Sequence, residues 1–299
     1  MHNPFFSIII PTYNRAHLLV ATLNSILNQT FTNYEVLIID DGSTDGTQIF
    51  VSDYIHKHQL KTWSYYYKKN EERGAARNHG VLKARATYIT FLDSDDHIYA
   101  DHFEKAYRFI LEEGMPEIIH QAYEFKNASN GSCRPVGYPR AKYLNAALLR
   151  GNCLSNFGLF LQRSIACKFM FKEDRAFSGS EDWLLWLKLA ARYPIFFNAY
   201  VSGCLVEHEQ RSVLHFNANQ LLYRAQTLLQ ELKADLVFIN KFSLKAAYRV
   251  YAHMLTYAAL HLAFEKKRPL AIKLFLKGII VAPSELFTRR TLAIIKHLF

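Results

Sequence analysis

Residues 90–99 read TFLDSDDHIY, and three carboxylates, Asp93, Asp95 and Asp96, stand within four positions directly behind the apolar run Tyr88 to Leu92. Like charges this close repel, and burying them unpaired costs several kcal/mol, on the order of a whole domain's stability margin. A chain that ends a buried strand in this way implies a positive group at its tip. Outward from this stretch, strands and helices alternate. Phe5 to Ile10 is a short β-branched strand closed by Pro11, and the following NRAHLLVATLNSILNQ places Leu18, Leu19, Leu23, Ile26 and Leu27 at helical spacing. Glu35 to Ile39 is a second strand ending in Asp40 and Asp41; Thr44 to Gln59 is a helix with Ser43 or Thr44 as N-cap. Trp63 to Tyr67, a helix over Gly74 to Arg85 and a strand over Thr87 to Leu92 complete the pattern. Such alternation predicts an α/β fold with a mostly parallel sheet covered on both faces. Ligands bind such sheets beyond the carboxyl ends of the strands, so Pro11 to Asn14, Asp40 to Asp45 and Asp93 to Asp96 are expected along one rim.

Between Ala100 and Tyr200 the pattern is mixed. Helices are predicted at Asp101 to Glu112, Lys142 to Leu149 and Glu181 to Ala191, strands at Glu117 to Phe125 and Asn156 to Gln162, and a polar loop at Asn127 to Pro139. A segment from Phe196 to Leu205 is expected to close the sheet, and from about Asn217 three or four amphipathic helices follow.

The 299 residues, half of them hydrophobic, suffice for one large domain or a domain with an appendage. Cys133, Cys153, Cys167 and Cys204 show no CxxC spacing, which argues against a zinc site or a disulfide framework and fits a reducing compartment. No signal peptide is read at the N-terminus, and no apolar stretch reaches the ~18 residues of a spanning helix. The nearest, Ala246 to Phe264, is broken by Arg249, His253 and His261. Charge is unevenly divided: from residue 209 onward 14 Lys/Arg face 5 Asp/Glu, so nearly all of the net +10 belongs to the last third.

Five segments in order, SIIIPTYNR at 7–15, IDDGSTDGT at 39–47, RGAARNHG at 73–80, FLDSDD at 91–96 and SEDWLLWLKL at 180–189, resemble the successive motifs of family 2 glycosyltransferases, inverting nucleotide-sugar enzymes of the GT-A fold. Each is weak alone; their order over residues 5 to 212 is specific. The resemblance implies a GT-A catalytic domain over 1–212, with a basic helical region over 213–299 outside it.

Physical chemistry gives the motifs content. A nucleoside diphosphate beside three aspartates requires a cation, and Mn²⁺ or Mg²⁺ is held by one or two carboxylates plus substrate phosphates. By the resemblance Asp95 is a metal ligand, Asp93 and Ser94 lie toward the nucleotide sugar with Asp93 nearest the ribose, and Asp96 supports the site. Without the other motifs, these aspartates could equally cap the helix near Asp101. DDGSTDGT partly follows a calcium loop but carries Ser52 where that loop needs a bidentate Glu. The resemblance instead gives Asp41 a hydrogen bond to the uracil ring, with Pro11, Tyr13 and Asn14 around the base; a carboxylate accepts only, so it suits an imide N–H. Arg73, Arg77 and Asn78 lie at a helix start suited to diphosphate or a base edge. An inverting transfer needs one general base for the acceptor hydroxyl. The resemblance assigns this to Asp182, with Glu181 orienting it or the acceptor, although both acids could simply favour a helix N-terminus. His208 matches a second metal ligand, with Arg211 and Ser212 toward the diphosphate.

In the basic tail, Lys241, Lys245 and Arg249 are spaced to share one helix face, and Pro269 opens a further helix bearing Lys273 and Lys277. Such a region could cap the catalytic domain, form a dimer contact or lie on anionic lipid; the basic excess favours a peripheral contact with the inner face of the cell membrane. Nucleic acid is excluded, since the acidic rim repels phosphate and no binding motif accompanies the basic residues. The expected function is transfer of a sugar from a UDP-sugar to a saccharide or lipid-linked saccharide in cell-surface polysaccharide synthesis. The alternatives are a sugar nucleotidyltransferase, for which no triphosphate loop follows the first strand, and a non-catalytic nucleotide-sugar or saccharide-binding protein, which would not need Asp182.

Overall fold

Strand β1 (Phe6–Thr12) is buried at every position. It pairs in parallel with β2 (Tyr34–Asp40) on one side and with β4 (Tyr88–Phe91) on the other. With β3 (Trp63–Tyr67) outside β2, the order β3-β2-β1-β4 reverses direction between β1 and β4, which is the topological switch point of the sheet. The computed structural model describes residues 3–208 and 218–298.

Register explains how a proline ends a central strand. All seven residues of β1 pair with β2, whereas pairing with β4 stops at Ile9 opposite Phe91. The carbonyl of Ile9 accepts from Leu92 on the β4 side and that of Thr12 accepts from Asp41 on the β2 side. Bonding direction alternates along a strand, so Pro11 turns its missing N–H toward β4, where the ladder has already opened. The gap between the ends of β1 and β4 is the crevice expected from the sequence.

Beyond β4 the sheet continues through β9 (Leu159–Gln162), β6 (Ile118–Gln121) and β10 (Phe196–Asn198). Among the described strands of this sheet, β9 alone runs antiparallel to its neighbours. Phe6, Ile8 and Ile10 pack with Leu23 of α1 (Ala16–Leu27) and Phe103 and Ile110 of α4 (His102–Glu112). Ile9, on the opposite face, touches Gly80 of α3 (Glu72–Lys83) so closely that a Cβ there would lie 2.4 Å from it. Both faces are therefore covered, as parallel pairing requires. A second sheet orders β5 (His97–Ile98), β11 (Gly203–Glu207), β7 (Glu124–Asn127) and β8 (Cys133–Pro135).

The chain divides into two units, one comprising Met1–Leu144, Cys153–Ser178 and Tyr193–Glu209, the other Asn145–Asn152, Gly179–Arg192 and Gln210–Phe299. The second unit is helical: α6 (Glu181–Ala190), α7 (Ala218–Ala234), α8 (Leu236–Phe242), α9 (Leu244–Phe264), α10 (Arg268–Val281) and α11 (Arg289–Leu298). Helix α9 buries twelve residues spread around its circumference, so it is the centre of the bundle. Helix α6 is tied in by Lys188 to Glu231 at 2.7 Å and by the paired Arg192–Asp235 contacts at 2.8 Å. Among the described residues, no helix is long and apolar enough to cross a membrane.

Several sequence expectations are corrected here. The second helix, α2 (Thr47–Lys57), starts behind Gly46 in the left-handed conformation, and neither Ser43 nor Thr44 caps it; Asp45 instead accepts from the Thr47 N–H and hydroxyl. The single strand expected at 117–125 is two strands in different sheets, separated at Ala122 and Tyr123. Phe196 to Leu205 divides in the same way. The helix expected at 142–149 is a 3-10 turn over Ala147–Arg150, and the polar loop holds β8. Ser243, at φ 82°, interrupts the chain between Lys241 and Lys245, so the three basic residues do not share one helix. The short helix α5 (Arg163–Lys168) was not anticipated.

Candidate functional site

At the switch point, β1 leads into Tyr13, Asn14 and Arg15, and β4 leads through Leu92 into Asp93 to Asp96. Asn14 takes the left-handed conformation at φ 51°. Its N–H donates to Ser43 Oγ at 2.8 Å, and its side-chain oxygen accepts from the Thr44 N–H at 2.7 Å. Asparagine tolerates that backbone well, so it fastens the β1 tip to the loop after β2. Tyr13 is 48% exposed beside it, whereas Pro11 is buried inside β1.

Asp93 supplies the answer to the clustered carboxylates. Arg77 Nη2 donates to its Oδ1 at 2.7 Å, and Asn156 Nδ2 donates to its Oδ2 at 3.0 Å. Desolvation works to raise its pKa, but the charge and hydrogen bond of Arg77, aided by Arg73 and Asn156, hold it down at about 2. It is an anion throughout the physiological range. The Arg77 side chain is 1% exposed and its guanidinium lies 5.3 Å over the Phe171 ring.

Asp95 has a different surrounding. Its Oδ2 accepts from Arg15 Nη1 at 2.7 Å, and His208 Nε2 lies 3.2 Å from the same oxygen. The second sheet brings His208 there: β11 pairs antiparallel to β5 with Cys204 opposite His97, so the chain after β11 runs back toward the Asp95 turn. Asp96 clamps this return, its Oδ1 accepting from the Val206 N–H at 3.2 Å, and Ser94 is buried between the two acids. Among the described residues, no group of three His, Cys, Asp or Glu side chains forms a complete metal cage. A carboxylate and an imidazole on one point fit an ion that completes its shell with water and phosphate oxygens. Arg211 and Ser212 lie outside the described residues.

Asp41 is buried and fully engaged. Lys68 Nζ and the Glu71 N–H donate to Oδ1 at 2.8 and 3.0 Å, and the N–H groups of Glu71 and Glu72 reach Oδ2 at 3.2 and 2.8 Å. It thus holds the N-terminus of α3. A carboxylate has about four acceptor positions, so a uracil N–H would have to displace one of these donors. Gly42, at φ 89°, lies against the same connection: a Cβ there would sit 2.9 Å from Asn70 N.

Asn78 serves otherwise than expected. Its amide donates to Phe171 O at 2.9 Å and Glu173 Oε1 at 2.8 Å, and its oxygen accepts from the Phe171 N–H at 2.9 Å, which ties segment 171–173 to α3. Arg15, Asn156 and Lys68 are site residues that the sequence reading passed over. Arg15 follows Asn14 directly in the first motif and could have been weighed there; the other two carry no sequence signal.

The second unit carries Glu181 and Asp182 at the start of α6. Glu181 is buried and accepts from the Gly179 N–H. Asp182 Oδ2 accepts from Asn152 Nδ2 at 3.0 Å, and its Oδ1 accepts from the Trp183 N–H at 2.7 Å. Trp183 Nε1 donates to Leu148 O at 3.0 Å, which fixes the 145–152 segment against the helix.

The chain is 35% identical over 163 residues to an uncharacterized glycosyltransferase of Haemophilus influenzae, covering 54% of this chain and 64% of the relative. It is 30% identical over 189 residues to the Escherichia coli UDP-Glc:alpha-D-GlcNAc-diphosphoundecaprenol beta-1,3-glucosyltransferase WfgD, covering 63% and 71%. The match to a Rickettsia felis relative, at 31% identity, takes in 65% of this chain but spans 32% of that protein's length. Among solved structures, Staphylococcus aureus TarS 1-349 in complex with UDP-GlcNAc aligns over 98% of this chain and 89% of its own, with 20% identity and a TM-score of 0.69. The Pyrobaculum calidifontis mannosyltransferase PcManGT, in complex with GDP-Man and Mn²⁺, aligns over 99% and 86%, with 19% identity and a TM-score of 0.61. The fold is GT-A. The glycosyl transferase family 2 profile matches residues 7–160, more than half of the chain, and the protein belongs to that family.

Proposed function

We propose that the protein transfers a sugar from a UDP-sugar to a hydroxyl of a saccharide or lipid-linked saccharide, with inversion, in the synthesis of a cell-surface polysaccharide. The observation that carries this reading is the convergence of Asp95 and His208 on one point at the β1/β4 crevice, with Arg15 on the same Asp95 oxygen and Arg77 on the neighbouring Asp93. Asp95 and His208 would hold a divalent ion, Mn²⁺ or Mg²⁺. When bound, that ion neutralises the diphosphate and stabilises it as a leaving group.

The residues of the chain do the rest. Tyr13, exposed at the end of β1, bounds the base together with Pro11 and Asn14. Lys68 is the donor Asp41 would exchange for a uracil N–H. Asp93, with Ser94 beside it, accepts from the ribose hydroxyls, its charge secured by Arg77. Arg15 can leave Asp95 for the diphosphate, and Asp182, held by Asn152, takes the proton of the attacking hydroxyl while Glu181 braces the helix start. UDP is the nucleotide in the name of the E. coli relative and in the TarS complex, and a carboxylate at Asp41 suits its imide.

The helical unit fits a peripheral position on the cytoplasmic face of the cell membrane. Ile272, Leu276 and Ile280 form an exposed stripe on α10 beside Lys273 and Lys277, and Leu286 and Phe287 are exposed next to it in sequence. An apolar stripe flanked by lysines is the pattern of an interfacial helix on anionic lipid. Along the sequence we assign catalysis to residues 1–212, of which Glu181 and Asp182 are carried by the helical unit, and this attachment to 213–299.

Calorimetric titration of UDP, GDP, CMP and dTDP, with and without Mn²⁺, tests the site. Metal-dependent UDP binding that is lost in Asp95→Ala is the expected result; UDP binding indifferent to both would overturn the reading. Asp182→Asn is expected to lower kcat by about 10²- to 10⁴-fold while leaving UDP affinity intact.

A further inference from the structure

The second unit contains a cavity of about 430 Å³ that the proposed reaction does not use. Arg150, Arg249 and Arg290 line it, each from a different element, with the hydroxyls of Ser284 and Thr288 at its wall. Among the described residues, no acidic partner is found for Arg150 or Arg249. Glu285 is the single acid in the lining, and its Oε2 accepts from Thr256 Oγ1 at 3.0 Å. Three guanidinium groups and one carboxylate around one cavity leave an excess of about two positive charges, whose mutual repulsion an anion among them would relieve.

The cavity is built rather than incidental. Arg290 Nη1 donates to His253 O at 2.8 Å and to Thr256 Oγ1 at 3.1 Å, and its Nη2 lies 2.8 Å from His253 Nε2. His253 is half-buried, and desolvation together with the Arg290 charge pulls its pKa well down, so it stays neutral and accepts from Arg290. Gly151, at φ 146°, lets the backbone close onto this ring: a Cβ there would stand 3.1 Å from His253.

The same segment leads to the proposed base. Arg150 is two residues from Asn152, whose amide holds Asp182, and the Trp183 ring meets His253 edge-on at 5.5 Å. We propose that this cavity binds the phosphate or diphosphate of the acceptor, so that a sugar carried on that phosphate presents its hydroxyl at Asp182. Planar guanidinium forks with flanking hydroxyls are suited to phosphate oxygens. This inference rests on the glycosyltransferase reading and on Asp182 as its base; it names the acceptor as an anionic, phosphate-linked saccharide.

The test is calorimetry on the full chain with UDP and Mn²⁺ saturating the nucleotide site. The probes are inorganic pyrophosphate, a glycosyl diphosphate with a short alkyl chain, and the matching alkyl glycoside without phosphate. The glycosyl diphosphate is expected to bind most tightly, and the double variant Arg150→Gln/Arg249→Gln to weaken it by about ten- to a hundredfold, with UDP affinity unchanged. Both positions reach solvent, so the variant is expected to fold, which circular dichroism checks. A glycosyl diphosphate that binds no better than the neutral glycoside, or equally well in the variant, overturns the proposal. Pyrophosphate binding as tightly as the glycosyl diphosphate overturns the acceptor assignment, because the cavity would then be a site for free phosphate. Failure of UDP to bind the unaltered protein would instead sink the nucleotide-sugar reading, and is read in a separate titration.

Discussion

Arg77, with a side chain 1% exposed, donates to Asp93 across 2.7 Å, and Asp93 is 28% exposed at the tip of β4. The arginine is thus the buried support of the pair and the aspartate its working end. Removing one partner of such a pair strands the other charge. Arg77→Met is expected to cost about 3–5 kcal/mol in urea unfolding. The double variant Arg77→Met/Asp93→Asn should recover part of that loss while still failing to bind UDP. Equal stability of Arg77→Met and the unaltered protein would show that the pair contributes nothing.

Arg15 occupies the Asp95 oxygen that His208 also approaches. A cation already in place competes with a metal for the same lone pairs. Arg15→Ala is therefore expected to tighten Mn²⁺ binding in the absence of nucleotide and to weaken UDP binding in its presence, each by about tenfold. Titration of the Mn²⁺ resonance signal reads the first effect and calorimetry the second. A change of the same sign in both would exclude the exchange.

Asn78 spends its amide on Phe171 and Glu173. Asn78→Ala should destabilise the fold by about 1–3 kcal/mol, because buried backbone groups lose their partner. UDP affinity is expected to stay within about twofold. A larger loss of affinity with unchanged stability would return Asn78 to the nucleotide site.

His102 and His120 are wholly buried, and desolvation pulls each down to about 3. Unfolded histidine titrates near 6.5, so between about pH 6.5 and 3 the unfolded chain binds protons that the folded one refuses. Stability is complete above that window and falls with pH inside it, by up to about 1.4 kcal/mol per pH unit for each ring. Urea midpoints measured from pH 8 to 4 should show this decline, and His120→Gln should flatten it. An unchanged slope would place the acid sensitivity on other groups.

Much of the first unit was legible in the chain because its central strands are buried on both faces and must read as apolar runs. Ile8 to Ile10, Val36 to Ile39 and Tyr88 to Leu92 stand out for that reason, and the polar residues after them mark the rim. The five motifs then name the family without any coordinates. Breaks that depend on distant partners were not legible. Ala122 still donates to Asn198 of β10 in the first sheet, while its carbonyl accepts from Ser202, some eighty residues on and directly ahead of β11 in the second sheet, so the chain crosses between sheets there. Lys241 and Lys245 keep helical spacing although Ser243 stops the helix between them.

The sequence by itself determined the class of the fold, the order of its strands and helices along the chain, and the candidate acids Asp93, Asp95 and Asp182. Local periodicity and residue chemistry suffice for that. Only the tertiary structure decided which cation meets which acid: Arg77 for Asp93, Arg15 and His208 for Asp95, and Lys68 with the α3 amides for Asp41. It also decided that Arg150, Arg249 and Arg290 surround one cavity. The physical reason is that charge pairing acts through space at a few ångströms, whereas these partners are separated along the chain by 16 to 113 residues.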